Sequence, residues 1–582
     1  MFNFTNSYFG EKSAALLLGI VIGILVIAPA AYFRYFDGGY QGIDLFGSDG
    51  ENFYLAQIQE IYDGHWSLGN IYLAEGKNDN YVQPPLPAIL IAAMGKVFDL
   101  SSRDINLATK FLLPVLLTVL VYLLFFNIFK RKDLALLMTT FVMLIQATWI
   151  FLDPASWSIF FSEGTFPGTN ANFLSYARPI NPQVSSFFFF GYLLCVWKFL
   201  FENNPVKMEK VWGILSAVIL GLSFYTYFFT FSFLSVFTAI LFFWFLYSRE
   251  WRQLKKITII SAGALIVAAP YLVNLLGMMG SPSYISLSRR LGMADSHQFI
   301  FSRVWWGVFI LFMILYRKFD KSKLFILAFL ATAFFVTNQQ MFTGKVAMLP
   351  AHYHWYYIAP VGGAILIYLF FVYFEKLANS FVSRSAMLIL ISIFFYSGFL
   401  FQKNSYMIQR PYFISSQRYA PVLSWLDQNI KKESVIFADN DLSDLIPAYT
   451  RHNVYFGNYL GNTLISEERS KHNLFIFFFL NGVTNDSARD YFYKNRASVG
   501  SEIFGQYYRM KNGCYGCFPD FMLDGFISEY RNFLKKDFAG QLKKYSIDYV
   551  VWDKEKNPSW PAEKMFHDKI YEINNLAVYS VN

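Results

Sequence analysis

The chain has 582 residues, of which 55% are hydrophobic and only 15% charged. A water-soluble protein of that size carries about 25% charged residues, so composition excludes an ordinary soluble enzyme and makes a bilayer the natural solvent. The formal charge of +9 would suggest nucleic acid in a soluble protein. Here the basic residues sit in short links between apolar runs, so membrane lipid is expected as a partner and nucleic acid is not.

A crossing helix needs about 20 apolar residues. About eleven runs approach this: 13–33, 107–129, 134–152, 184–201, 211–227, 229–247, 257–278, 303–316, 323–337, 356–374 and 385–401. The first, Ala14 to Tyr32, reads as a signal anchor because no small-residue cleavage site follows it. Lys130–Lys132, Lys207 and Lys210, Arg249 to Lys256, Arg317 to Lys323, and Lys376 with Arg384 all fall on one side if the N-terminus is cytoplasmic, a positive-inside pattern. Segments 34–106, 153–183, 279–302 and 338–355, and everything after 402, then lie on the extracytoplasmic face. The stretch from Pro85 to Phe98 is about 14 residues, a length that suits an interfacial or re-entrant helix. Counted as a twelfth span, it would move Lys130–Lys132 outside.

After Lys403 the pattern changes. Ala420–Asn429 reads as an amphipathic helix, Ser434–Asp439 as a buried strand, Asp441–Tyr449 as a helix and Asn453–Phe456 as a second strand. Lys543–Trp552 reads as a helix end running into a strand. Leu474–Leu480 is too short to span and is assigned to the core of this region. Strands alternating with helices indicate a small α/β unit. The expected architecture is mainly α: a polytopic transmembrane bundle over 1–402, with outer loop 34–106, and an extracytoplasmic α/β domain over 403–582.

The polar clusters lie in the outer segments. Asp49 and Glu51 immediately precede an amphipathic helix with Phe53, Ile58 and Ile61 on one face. A carboxylate there either caps the helix or serves as a general base at the membrane surface. Gln83, Pro84 and Pro85 form a rigid extended stretch ahead of a helix start. In Ser175–Gln183, Arg178 stands with Asn181 and Gln183 at the mouth of a span, where a guanidinium either takes a phosphate bidentately or snorkels to headgroups. Asn338–Trp355 gathers Lys345, His352 and His354. Two histidines are too few for a metal site; phosphate contact or proton transfer is the functional alternative to a plain interfacial loop. With three cysteines in the chain, a disulfide scaffold is excluded. Cys514-Tyr-Gly-Cys517 allows a disulfide or a redox pair, and a structural disulfide is the favoured reading.

Asp49, Tyr54, Ala56, Gly64-His65-Trp66 and Pro84-Pro85-Leu86 together resemble the first outer loop of the GT-C superfamily of polytopic glycosyltransferases, which includes the protein O-mannosyltransferases and the lipid A aminoarabinose transferases. Trp425-Leu426, Ile446–Thr450 and Ile547–Val551 are similar to the extracytoplasmic domains of uncharacterised members. The resemblance implies an enzyme that takes a sugar from a polyprenyl phosphate and passes it to an extracytoplasmic acceptor (glycan, lipid or protein), with inversion. Asp49 would be the general base. By the same resemblance Glu51 would be a second catalytic carboxylate, although Gly50 separates two acids that are often adjacent in the family. Arg178 is the first choice for the departing phosphate, followed by Lys345, His352 and His354; Tyr54, Gln83, Pro84, Pro85, Asn181 and Gln183 would line the substrate loop. Electrostatic help of this kind contributes about 3–4 kcal/mol per donor. The sequence requires no metal or other cofactor, and a divalent ion stays open. The rival readings are a lipid-linked glycan polymerase or ligase, which has no need of the early acidic motif before Pro-Pro-Leu, and a transporter or scaffold. Coupled transport predicts ionisable groups at mid-bilayer, and the expected spans have almost none.

Overall fold

The computed structural model describes residues 4–46, 50–152, 173–346 and 349–581. Among the described residues, eight helices are long and apolar enough to cross a membrane: Ser13–Phe36, Ser102–Phe129, Pro179–Phe201, Phe228–Tyr247, Trp251–Met279, Lys321–Asn338, Ala351–Leu377 and one in Ser380–Asn429. The other three expected runs are helical too, but each falls short by a physical criterion. The 134–152 run breaks between Lys132–Met143 and Ile145–Leu152. Val206–Ser223 carries Lys207, Glu209 and Lys210 in its opening turns, and Arg303–Leu315 has only 13 residues. The protein is a multi-pass membrane protein, mainly α-helical, with a small sheet near its C-terminus.

Close backbone contact fixes the first helix pair. Gly19 and Gly23 are four apart, on one face of Ser13–Phe36, and a Cβ on either would lie within 3 Å of the Val115 or Phe111 carbonyl oxygen on Ser102–Phe129. Without a hydrophobic drive between helices in lipid, such small-residue faces let dispersion contacts hold them together. The pairing is antiparallel, so Ser102 and the end of the first helix share one membrane face.

On that face, segment 34–106 folds into two helices. Glu51–Asp63 begins after Gly50, whose φ is +84°, and ends at Gly64, φ +105°. Leu86–Val97 packs beside it: Lys96 Nζ donates to the Ile61 carbonyl at 2.9 Å and Tyr62 Oη to the Leu100 carbonyl at 2.7 Å. The Pro84-Pro85 stretch runs into this second helix, and the Leu86 amide donates to the Tyr225 carbonyl at 3.1 Å.

The last membrane helix does not stop where hydropathy falls at Lys403. Ser380–Ser416 is continuous and runs on to segment 34–106, where Arg410 pairs with Asp37. Gln417 takes the Gln41 and Ile43 amides on its side-chain oxygen at 2.8 and 3.1 Å. Short strands β1 (Ala294–Asp295) and β2 (Lys345–Val346) pair antiparallel. The C-terminal sheet comprises β3 (Val435–Phe437), β4 (Asn453–Val454), β5 (Tyr549–Asp553), β6 (Asp568–Ile573) and β7 (Leu576–Ser580), ordered β4-β3-β5-β7-β6. The β4, β3 and β5 strands are parallel; β7 runs antiparallel to β5 and β6. Helices Glu467–Leu480 and Asp520–Leu534 supply its core, with Phe475, Phe478, Tyr530 and Phe533 buried in one aromatic cluster. Cys514 and Cys517 form a disulfide, with Cα atoms 5.4 Å apart.

This domain is seated on segments 34–106 and 279–302. The Val454 amide of edge strand β4 donates to the Tyr72 carbonyl at 2.8 Å. Asn70 Nδ2 reaches Thr463 Oγ1 at 3.2 Å. Arg290, only 3% exposed, donates to the carbonyls of Ile465 (2.9 Å), Thr463 (3.3 Å) and Gly461 (3.3 Å).

Candidate functional site

The site assembles where the helix Glu51–Asp63 meets the mouth of Pro179–Phe201. Glu51 lies in the first turn of its helix and is completely buried. Its carboxylate accepts from Lys110 Nζ and from Asn106 Nδ2, the latter at 3.2 Å. Gly50, not a carboxylate, occupies the N-cap position, without a side-chain cap. Asp49 lies outside the described residues.

Lys110 also donates to the Ala177 carbonyl at 2.9 Å, which ties the start of the helix Glu51–Asp63 to the loop holding Arg178. The Arg178 guanidinium lies 5.3 Å from the ring centroid of Tyr54, one turn along from Glu51. Its Nη2 donates to Tyr356 Oη at 2.8 Å and its Nε to the Asn181 carbonyl. Burial works against this charge, but the oxygens of Tyr54, Tyr356, Tyr227 and Glu51 outweigh it and hold the guanidinium pKa above its ordinary value. Arg178 is therefore a fixed, permanent cation, aimed by a phenol and a carbonyl and faced by an aromatic ring.

A second layer joins from the link before Phe228–Tyr247. Tyr227 Oη and His352 Nδ1 are 2.7 Å apart, and the Tyr227 and Tyr356 rings meet edge to face at 6.3 Å. Two residues earlier, Tyr225 accepts the Leu86 amide on its carbonyl, while its hydroxyl donates to the Val267 carbonyl at 3.0 Å. The Pro-Pro-Leu stretch is thus anchored on the same short link that carries Tyr227.

The sequence-predicted residues divide accordingly. Glu51, Tyr54, Arg178 and His352 come together, with Asn181 and Gln183 buried in the loop behind them. Gln183 Nε2 holds the Tyr176 carbonyl. Pro84 and Pro85 precede Leu86, whose amide is held by the Tyr225 carbonyl, and Gln83 is half-buried in the same stretch. Lys345 is exposed in β2 opposite Asp295, and no described contact joins it to Arg178. His354 is half-buried, and no described contact joins it to Tyr227 or Arg178. Among the described residues, no group of three or more His, Cys, Asp and Glu side chains is placed to hold a metal ion.

Sequence reasoning missed Lys110, Asn106, Tyr227 and Tyr356. Lys110 had a usable signal: a lysine inside a membrane-length helix calls for a partner. The tyrosines had none, because in a chain with 39 of them a site tyrosine looks like any interfacial one.

No family model and no curated protein matches the sequence. Among solved structures, the chain is similar to ArnT from Cupriavidus metallidurans bound to undecaprenyl phosphate, at TM-score 0.44 and 13% identity, over 78% of this chain and 86% of that one. The apo state of the same protein gives TM-score 0.46 at 12% identity, over 99% and 98%. Archaeal oligosaccharyltransferase AglB from Archaeoglobus fulgidus, in complex with an inhibitory peptide and a dolichol-phosphate, gives TM-score 0.48 at 10% identity, over 95% and 70%.

Proposed function

We propose that this protein is a membrane glycosyltransferase that moves a sugar from a polyprenyl phosphate to an acceptor hydroxyl on the extracytoplasmic face. The observation that carries the reading is Arg178. It is a permanent cation at the outer mouth of a membrane helix, oriented by Tyr356 and set over Tyr54, and Tyr54 follows Asp49 by five residues in the motif that resembles the GT-C superfamily. A donor whose tail stays in lipid must present its phosphate at that depth.

In this reading the Asp49 carboxylate takes the proton of the acceptor hydroxyl. The acceptor oxygen attacks the anomeric carbon, and the bond from that carbon to the phosphate oxygen breaks. The electron pair leaves on the lipid phosphate, and the configuration inverts. Arg178 receives the charge developing on the departing oxygen, and Tyr227 and His352 offer hydrogen-bonding groups beside it. Donors already aimed at developing charge need no reorganisation at the moment of reaction. Glu51 is assigned to holding Lys110, and through it the Arg178 loop, in place. The C-terminal domain covers this outer layer and presents a surface for the acceptor.

The test uses the full-length chain, purified in detergent and supplied with radiolabelled polyprenyl-phosphate sugars and a membrane extract as acceptor source. Label should leave the lipid phase with the wild type, and Asp49→Asn and Arg178→Ala should each abolish the transfer. Turnover by Asp49→Asn at the wild-type rate would remove the general base from the mechanism. Absence of transfer from every polyprenyl-phosphate sugar would remove the reading.

A further inference from the structure

Where the C-terminal domain meets segment 34–106, a second group of polar side chains stands beside the helix Glu51–Asp63 and takes no part in holding the donor phosphate. The helix Asn440–Tyr449 packs along Glu51–Asp63, and the short helical turn Asn458–Asn462 packs beside it. This turn brings Tyr459 to Gly50, the residue that follows Asp49: a Cβ on Gly50 would lie 3.6 Å from Tyr459 Oη. The Phe53 ring meets both Tyr459 and Tyr72, at 5.9 and 6.0 Å between centroids. A side chain of the C-terminal domain therefore stands one residue from the proposed general base.

Two carboxyls gather here with no cation between them. Asp444 accepts from the Asn458 backbone and side chain at 3.2 and 2.9 Å. Glu502 lies on the helix Arg496–Phe504, which packs on the same turn. It is half-buried and makes no hydrogen bond or ion pair among the described residues. Burial and the Asp444 charge push its carboxyl up to about 7. Tyr72 faces Asp444 and Tyr459 as well: it is 0% exposed, and its hydroxyl has no partner among the described residues. Burial and the oxygens of Asp444 and Tyr459 hold its pKa well above the ordinary value. A carboxyl buried without a counter-charge and a buried hydroxyl without a partner each cost stability. Their meeting at one place marks a site built for a ligand.

The chemistry of the group selects the ligand. A carboxylate takes sugar hydroxyls in charge-assisted hydrogen bonds, and a carboxyl held near neutral pKa can also donate to them. The half-buried Tyr459 ring offers an apolar platform to the C–H face of a pyranose. A phosphate would instead add a third negative charge beside two carboxyls. We propose that Glu502, Asp444 and Tyr459 form the acceptor subsite, and that the acceptor is a neutral saccharide, a sugar hydroxyl and not a phosphate group receiving the transferred sugar. This inference rests on the transferase reading and names its acceptor class.

The test uses the full-length chain in a polyoxyethylene detergent, which carries no sugar, with binding read by saturation-transfer NMR. The probes are the methyl glycosides of glucose, galactose, mannose and N-acetylglucosamine, and the 6-phosphate of each. At least one neutral glycoside should bind the wild type, and its 6-phosphate should not. Glu502→Gln should weaken that binding about tenfold, the scale of losing a hydrogen bond to a charged group, and Tyr459→Ala should abolish it. Glu502→Gln/Asp444→Asn, which removes both negative charges, should admit the 6-phosphate, a gain that mere loss of structure does not produce. Binding of no neutral glycoside by the wild type, equal binding of the 6-phosphate, or wild-type affinity in both Glu502→Gln and Tyr459→Ala would overturn the proposal. The readout involves no turnover, so sugar transfer from the lipid donor without glycoside binding would remove this subsite and leave the transferase reading in place.

Discussion

The Glu51 carboxylate and the Lys110 ammonium meet where neither reaches water: Glu51 is 0% exposed and Lys110 3%. Removing two charges from water is costly, and their attraction offsets that cost only while both are present. Either partner left alone is an uncompensated buried charge. Glu51→Gln and Lys110→Met should each destabilise the protein by about 3–5 kcal/mol, and the double variant should recover most of that loss. Thermal unfolding in detergent checks this; a double variant no more stable than the single ones would mean the pair is not what holds this corner together.

Arg178 differs from Lys110 in what it demands of a replacement. Its donors are directed at Tyr356 Oη and the Asn181 carbonyl while its plane faces Tyr54, and a lysine ammonium keeps the charge but not the planar geometry. Arg178→Lys should therefore lower glycosyl transfer by roughly a hundredfold or more, the scale of losing one directed donor, with KM for the lipid donor rising far less. Steady-state kinetics with a polyprenyl-phosphate sugar separate the two parameters. Retained kcat with a raised KM would make Arg178 a binding group only.

The C-terminal part of the chain was more legible than its middle, for physical reasons. Period and turn chemistry placed Ala420–Asn429, β3, the helix Asn440–Tyr449, β4 and β5 close to where they fold, because each buries a regular face against a small core. The helix interruption at Leu144 and the 13-residue Arg303–Leu315 were not legible, since an apolar run reports burial and not whether lipid or protein surrounds it. Lys403 marked a fall in hydropathy but no break in the backbone, and the helix runs on to Ser416 because Arg410 and Gln417 find partners in the first outer segment. In the site, Arg178 stood out by charge beside a span. Tyr227 and Tyr356 became visible only when tertiary packing brought them to it.

Arg290 is the clasp between membrane part and C-terminal domain. Its side chain serves three carbonyls between Gly461 and Ile465, and its own carbonyl accepts the Gln506 amide at 2.9 Å. Gly505, at φ +54°, passes so close that an added Cβ would sit 2.2 Å from the Arg290 oxygen. Arg290→Ala should expose the 461–470 stretch to limited proteolysis at least about tenfold faster, as expected when several buried acceptors lose one shared donor. Gly505→Ala should act in the same direction without altering any charge. Cleavage rates equal to wild type in both variants would show that other contacts suffice to seat the domain.

Asp444 gives the C-terminal domain a pH dependence with a definite sign. Burial pushes its carboxyl up to about 6 from an ordinary 3.8, although Asn458 donates to it from both backbone and side chain, at 3.2 and 2.9 Å. Between these two values the folded state holds a proton that the unfolded chain has released. Stability therefore falls as pH rises from about 4 to about 6 and stays lower above that, by on the order of 2–3 kcal/mol. His472, whose burial lowers its pKa to about 4, acts oppositely by losing stability as pH falls from 6.5, and burial raises the Glu502 carboxyl to about 7, so the wild-type curve alone mixes several groups. Asp444→Asn keeps one acceptor for Asn458 and has no proton to lose. Its stability relative to wild type should therefore rise with pH across 4 to 6 and level off above. Unfolding midpoints of both proteins at half-unit pH steps measure this difference directly; a constant offset across that window would show that the Asp444 carboxyl titrates alike in the folded and unfolded chains.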